Sequence, residues 1–245
     1  MKKVSILVLT FNRVRTTEKY VPFIVDRIGN IDAEVLIWDN GSSDGTYDWL
    51  ENFGVADCRV TKVFSSEQNY GMEAINFLAE AATGEYIIKV DDDVFPTDRY
   101  AQRLVHAFEE VKEDNLMFLG WDMRWNGKTF ATRSGLKLYK PPYGKIVSVD
   151  KDQSKVYISF NNNSWLVNGI CRLSSRKKFL ELGGHPKGIR YGVDYLVTKA
   201  AKNKGYWVGF YCPTDLVQHM GTLDTAFYRK IKDEELSRNG APRHV

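Results

Sequence analysis

Five short apolar runs punctuate the first half of the chain, each followed by a polar loop and most by an amphipathic stretch. Val4 to Leu9 is a continuous β-branched and aliphatic run, the pattern of a strand covered on both faces of a parallel sheet, and it stops at Thr10, Asn12 and Arg13. A helix is predicted from about Thr16 to Arg27. Glu34 to Trp38 is the second run, ending in Asp39-Asn40-Gly41-Ser42-Ser43, with Asp44 as the cap of a short helix through Leu50. Arg59 to Phe64 is the third. After the polar stretch Glu67 to Gly71, Met72, Ile75, Leu78, Ala79 and Ala82 have helical spacing, and Gly84 ends that helix. Glu85 to Val90 runs straight into Asp91, Asp92 and Asp93, and Thr97 is read as the cap of a long helix to about Lys112. Leu116 to Trp121 is the fifth run. Strands alternating with helices imply right-handed crossovers, an α/β class and a doubly wound, mostly parallel sheet with helices on both faces.

The second half is less regular and reads as a small mixed subdomain. Hairpins and loops are predicted over Trp125 to Ser159, and a helix over Ser174 to Leu182, ended by Gly183 and Gly184. Another helix follows from about Asp194 to Asn203, then strands near Tyr206 to Tyr211 and Leu216 to Gln218. No repeat or linker divides the chain. It is read as one domain, with halves 1–121 and 122–222 and a C-terminal helix and tail over 223–245.

Composition changes this picture little. A net charge of +3 is small beside 34 basic and 31 acidic residues, so charge alone names no partner. Cys58, Cys171 and Cys212 are far apart and form neither a disulfide framework nor a zinc motif, which fits a reducing cytosol, with peripheral membrane attachment as the alternative. The opening apolar run is too short to span a membrane.

In an open parallel sheet, ligands bind beyond the carboxyl ends of the strands, and four strands here end in polar loops: Thr10 with Asn12, Asp39 with Asn40, Glu67 with Asn69, and the Asp triplet. Any one such loop is most simply a turn. Four in phase point to a site. Three adjacent carboxylates repel one another unless a cation compensates, and hard oxygen donors suit magnesium or manganese carrying a substrate's phosphates. No Gly-x-x-x-x-Gly-Lys-Ser/Thr loop and no Gly-x-Gly-x-x-Gly follows a strand, so P-loop and dinucleotide chemistry are disfavoured.

These residues carry a resemblance to the inverting family 2 glycosyltransferases with the GT-A fold. It runs from Ser5 to His219 through Ser5–Arg13, Trp38–Thr46, Asn69-Tyr70-Gly71 with Ala74 and Asn76, and Gly84-Glu85-Tyr86-Ile87 leading into the triplet. Leu182-Gly183-Gly184, Gly192-Val193-Asp194 and His219 complete it. The resemblance implies a nucleoside-diphosphate sugar donor, with a preference for uridine, and a Mn2+ or Mg2+ cofactor. Thr10, Asn12, Arg13, Asp39, Asn69, Gly71, Asp91 and Asp92 would bind the donor. Asp93 would be the direct metal ligand, joined by Asp91, and His219 would be a further ligand or a diphosphate contact, with a structural role as the alternative. Asp194 matches the family's catalytic base and would take the proton of an acceptor hydroxyl in a single displacement that inverts the anomeric carbon. Val193 stands where the family has an acidic residue, and Ile75 where it often has Arg.

The Gln-x-x-Arg-Trp signature of processive synthases is absent, so one sugar per encounter is expected. The acceptor would be a saccharide or lipid-linked glycan, with Trp121, Trp125 and Trp165, beside Tyr139 and Tyr143, as aromatics to stack on it. Two other readings are weighed. One is a transferase acting on a nucleic acid base, supported only by the basic segments Arg172 to Lys178 and Arg229 to Lys232, which fit solvated helix faces as well. The other is an inactive nucleotide-sugar-binding module, against which the acidic triplet and Asp194 speak.

Overall fold

The structure is a computed structural model. It describes residues 2–125, 128–129, 144–149, 154–159, 167, 169–189, 193–213 and 217–220, the backbone alone for 123–125, 128–129 and 217–219. The elements in chain order are β1 (Val4–Thr10), α1 (Val14–Asp26), β2 (Ala33–Asp39), α2 (Thr46–Ala56) and β3 (Val60–Ser65). A 3-10 turn (Gly71–Glu73) leads into α3 (Ala74–Ala81), then β4 (Tyr86–Asp91), β5 (Val94–Phe95), α4 (Tyr100–Glu110), β6 (Leu116–Trp121), β7 (Met123–Trp125) and β8 (Lys128–Thr129). Next come β9 (Gly144–Val149), β10 (Ser154–Ser159), β11 (Cys171–Ser175), α5 (Arg176–Leu182), α6 (Val193–Asn203), β12 (Trp207–Cys212) and β13 (Val217–His219).

Nine strands form the main sheet in the order β3-β2-β1-β4-β11-β6-β12-β10-β9. β3, β2, β1 and β4 pair in parallel, as do β6 and β12, while β11 and β10 run against their neighbours. The apolar runs that predicted buried parallel strands occupy the β1–β4 block, where Ile6, Leu7, Val8, Val35, Ile37, Ile88 and Val90 are sealed from solvent. Successive side chains alternate faces. Ile6, Val8, Ile37, Ile88 and Val90 pack under α1, α2 and α4 through Val21, Ile24, Leu50, Leu104 and Val105. Leu7, Leu36 and Ile87 pack on the other face with Ile75 and Leu78 of α3, Phe179 of α5 and Val197 and Ala201 of α6. Each layer removes apolar surface from water, worth about 25 cal/mol per Å2, which opposes the chain entropy of ordering it.

The mostly parallel, doubly wound α/β expectation holds, with one rearrangement in the middle. β6 does not sit beside β4: β11 enters between them, antiparallel to both, from about fifty residues downstream in the chain. Thr97 does not cap α4. Arg99 precedes that helix with φ 55, and Tyr100 begins it. The helix expected from Met72 opens instead as a 3-10 turn. Ser175 caps α5, accepting from Lys178 N, and Gly183 closes it in the left-handed region at φ 91, where a side chain would be strained.

A second, four-stranded sheet, β5-β13-β7-β8, lies against the end of β4. His219 pairs with Val94 in it, and Met220 N donates to the carbonyl of Asp93 at 3.0 Å. No helix among the described residues is long and apolar enough to cross a membrane.

Candidate active site

The loops after β1 and β2 are fastened to each other by side chains. Asn12 sits at φ 48, a left-handed conformation that Asn tolerates better than most residues. Its N–H donates to Ser42 Oγ at 2.8 Å and its Oδ1 accepts from Ser43 N at 2.7 Å. Asp39 accepts from Ser42 N at 2.9 Å on one oxygen and from Ser42 Oγ on the other, and burial raises its pKa against those bonds. Asp44 accepts from Val14 N at 3.0 Å and Thr46 N at 3.1 Å, so one carboxylate starts both α1 and α2. Asn40 extends the lacing to the next loop: its Nδ2 donates to Asn69 Oδ1 at 3.0 Å and to the Gly71 carbonyl, and its Oδ1 accepts from Tyr70 N. Asn69 Oδ1 also takes Gly71 N at 2.7 Å.

The acidic triplet divides into three roles. Asp92 is 1% exposed and turned inward, its oxygens accepting from Arg13 Nη1 at 2.8 Å and Thr17 Oγ1 at 3.4 Å. Burial pushes its pKa up to about 6 against the pull of Arg13. Thr10, bonded to Thr17 at 3.0 Å, closes this buried knot. Arg13 Nη1 also lies 3.6 Å from an Asp93 oxygen. Asp91 is the most accessible of the three and is paired with Lys89, two residues earlier on the same strand.

Asp92 was expected to bind donor; its carboxylate instead anchors Arg13 inside the protein. Thr10, Asn12 and Asp39 hold loops, their side chains almost wholly buried. Asn69, Gly71 and Arg13 keep partial exposure.

Asp91 and Asp93 supply hard oxygen donors of the kind a Mg2+ or Mn2+ ion takes alongside a substrate's phosphates, and both now lean on cations, Lys89 and Arg13. The donor set fits such an ion. Among the described residues no three His, Cys, Asp or Glu side chains converge as a ready-made metal cage. The His219 backbone lies beside the triplet through β13, and its side chain falls outside the described residues.

Asp194 is the second residue of α6, where the N-terminal dipole favours a negative charge. Its Oδ1 accepts from Arg172 Nη1 at 3.2 Å and its Oδ2 from Gly169 N at 2.8 Å, and a third of the side chain remains exposed. Arg172 and Lys89 are register partners on β11 and β4, so their side chains leave the sheet on the same face. Each reaches one acid: Lys89 reaches Asp91, Arg172 reaches Asp194.

Trp121 is a correction. Its ring is fully buried in the core, edge-on to Tyr211 with the Arg103 guanidinium over its face, so it offers no surface to a sugar. Trp125 has only its backbone described, and Tyr139, Tyr143 and Trp165 lie outside the described residues. The basic segment from Arg172 is not a solvated face either. Arg172 is buried, Arg176 caps α3 by donating to the carbonyls of Ala79 and Glu80, and Lys178 donates to those of Asp114 and Leu116. These residues close the structure, and the support they lent to a nucleic acid acceptor goes with them. Arg229 to Lys232 lie outside the description.

The residues that sequence reasoning did not single out are Ser42 and Ser43, which with Asn40 lace the loops, and Arg172 with Gly169, which hold Asp194. A lone charge inside the apolar run Ile170-Cys171-Arg172-Leu173 was the available signal for Arg172.

A cavity of 680 Å3 opens at the β3 edge, lined by Trp38, Tyr70, Phe77, Ser66 and Gln68 among others. Trp38 packs between Phe64 and Phe77 there.

Known proteins resemble this chain in sequence and in fold. The chain is 26% identical over 211 residues to glycosyltransferase AglE of Haloferax volcanii, covering 84% of this chain and 64% of that protein. It is 26% identical over 183 residues to an uncharacterized glycosyltransferase, alr2836, of Nostoc, covering 73% and 52%. The chain thus spans a little over half to under two thirds of the relatives it matches. Among solved structures, a mannosyltransferase from Pyrobaculum calidifontis in complex with GDP-Man and Mn2+ superposes with a TM-score of 0.66 at 18% identity, over 95% of this chain and 61% of that one. TarS of S. aureus in complex with UDP-GlcNAc gives 0.61 at 17% identity, over 89% and 60%. The fold is therefore that of the GT-A glycosyltransferases. The sequence model of glycosyl transferase family 2 matches residues 5–166, more than half of the chain, and the protein belongs to that family.

Proposed function

We propose that this chain transfers a sugar from a nucleoside-diphosphate donor to an acceptor hydroxyl, with Asp194 as the base. The observation that carries the reading is the pair of partly exposed acids, Asp91 and Asp194, reached from one face of the sheet by neighbouring cations on β4 and β11. One acid lies at the phosphate end of the β1–β4 cleft and the other at a helix start, its charge favoured there.

Asp91 and Asp93 would hold a Mn2+ or Mg2+ ion, with His219 as a further ligand. That ion would neutralise charge on the departing diphosphate. Arg13, pinned by Asp92, keeps a second positive charge beside the phosphate site. The loops of Asn12, Asp39 and Asn69 shape the nucleoside pocket, and Asp39 is the residue nearest in kind to a base-reading carboxylate. Asp194 accepts the hydroxyl proton as the acceptor oxygen attacks the anomeric carbon and the bond to the diphosphate breaks, so the configuration inverts. The acceptor is read as a saccharide or lipid-linked glycan, and the transfer as one sugar per encounter.

The relatives' complexes supply the probes. UDP-GlcNAc and GDP-Man should each be titrated with manganese and again with chelator, following the melting temperature, because a ligand bound only by the folded state raises it. Binding of one donor that requires the metal and is lost in Asp93→Ala is the expected result. Metal-independent binding that persists in Asp93→Ala overturns the metal role. Asp194→Asn should lower nucleotide release from the bound donor by roughly 10²–10⁴-fold while leaving its affinity unchanged. An equal loss of affinity moves Asp194 out of the base role.

A further inference from the structure

We infer that Arg172 is a positioning residue for Asp194, and that His185 and Asn76 set Arg172 in place. This rests on the reading of Asp194 as the base.

A guanidinium only 3% exposed in the middle of a nine-stranded sheet is costly to desolvate unless every donor is used. Arg172 places Nη1 and Nη2 on three acceptors. Nη1 donates to Asp194 Oδ1 at 3.2 Å and to the Val167 carbonyl at 3.4 Å. Nη2 meets His185 Nε2 at 2.8 Å, and the guanidinium lies 4.7 Å from the Phe118 ring centre. Arginine only donates, so His185 Nε2 must be the acceptor. The imidazole is therefore neutral, with its proton on Nδ1. Burial, Arg172 and Lys89 all push the His185 pKa well below its ordinary value, which keeps it in that state.

His185 is itself clamped to α3. Asn76 Oδ1 accepts from His185 N at 2.8 Å, and Asn76 Nδ2 donates to the His185 carbonyl at 2.9 Å. The chain α3, His185, Arg172, Asp194 thus runs from one helix to the start of another across the sheet. Its last link gives Asp194 one donor on Oδ1, while Gly169 N takes Oδ2, so the carboxylate is fixed in rotation and each oxygen keeps a lone pair. Arg172 from β11 is the charged group of this network that meets Asp194, and Asp91 and Lys89 of β4 flank it.

The test uses the whole chain and follows nucleotide release from UDP-GlcNAc or GDP-Man with water as acceptor, separating kcat from donor KM. Arg172→Met should lose roughly 10–100-fold in kcat with donor KM unchanged. A parallel loss in KM, or unchanged kcat, overturns it.

If Arg172→Met does not fold, His185 supplies the same comparison. His185→Gln offers Arg172 a carbonyl acceptor and should retain the wild-type kcat, whereas His185→Leu should lower it at unchanged donor KM. Equal behaviour of the two overturns the relay. Asp194→Asn separates the two claims: retained release there refutes the base reading itself, whereas lost release there with an unchanged kcat in Arg172→Met refutes only the positioning.

Discussion

The loops after β1 and β2 and the region around Asp194 are built differently. Asn12, Asp39, Asn40, Ser42 and Ser43 bond one another across two adjacent loops, so each loop is the other's scaffold. Among the described residues Asp194 has no such neighbourhood of small polar partners. It is held by one backbone N–H and by one arginine that arrives on a strand inserted against the grain of the sheet. The first arrangement spreads the load over many neutral bonds, each worth about 1 kcal/mol. The second concentrates it in a few charges and one close backbone approach. Variants should therefore fail gradually on the loop side and abruptly wherever a buried charge or a tight contact is removed.

The largest expected effect is at the buried ion pair on the loop side. Arg13→Ala leaves Asp92 buried without its cation, and breaking a buried pair by removing one partner costs about 3–5 kcal/mol. Denaturant unfolding measures it. Asp92 already has its pKa raised to about 6, above the ordinary 3.8, so the folded state holds more protons between those values and stability falls as pH rises through that window. In Arg13→Ala the fall should continue to higher pH. A loss under 1 kcal/mol would mean the triplet is not held by Arg13.

Gly169→Ala probes the close approach on the other side. A Cβ there would sit 2.4 Å from Asp194 Oδ1 and 3.1 Å from its Cγ, so the carboxylate must swing away. Turnover should fall by roughly 100-fold, the usual consequence of a displacement near 1 Å at a reacting group, with little change in melting temperature. Full turnover in Gly169→Ala would show that the Gly169 N–H does not orient the base.

The same contrast explains what was legible in the sequence. The β1–β4 block announces itself because buried parallel strands are continuous apolar runs and their loops must be polar. Asp39, Asn69 and the triplet stood out on that pattern alone. The insertion of β11 did not, because Cys171-Arg172-Leu173-Ser174-Ser175 has neither a long apolar run nor clean alternation, and strand order depends on pairing across distant segments. Asn76 and His185 lie 109 residues apart in sequence, beyond any local rule. Trp121 was misjudged for a related reason: an aromatic at the end of an apolar run can face core or cleft, and only packing on Tyr211 decides.

Lys202 of α6 offers an intermediate effect on the Asp194 side. It is 5% exposed, with Nζ 3.4 Å from Ser159 Oγ, and burial alone pulls its pKa down from 10.5 to about 8. The folded state thus releases this proton first. Between pH 8 and 10.5 the unfolded chain holds more protons, so stability should rise with pH through that window. Lys202→Met should remove that slope and stabilise the protein at neutral pH by on the order of 2 kcal/mol. Persistence of the slope would assign it to another group.

The smallest effect returns to the loops and tests whether their load is shared. Asp44 is exposed, and its two oxygens start two helices, accepting from Val14 N and from Thr46 N. Asp44→Ala removes both caps and should cost about 1 kcal/mol, within the usual range for a lost N-cap. Asp44→Asn keeps one acceptor oxygen and turns the other into an amide that cannot accept, so it can serve only one of the two helices. It should lose about half as much, roughly 0.5 kcal/mol, which the midpoint of denaturant unfolding can resolve if the slope is unchanged. Equal losses for Asn and Ala would show that the loops need both oxygens at once, and that the β1 and β2 loops form one cooperative unit instead of a sum of separate bonds.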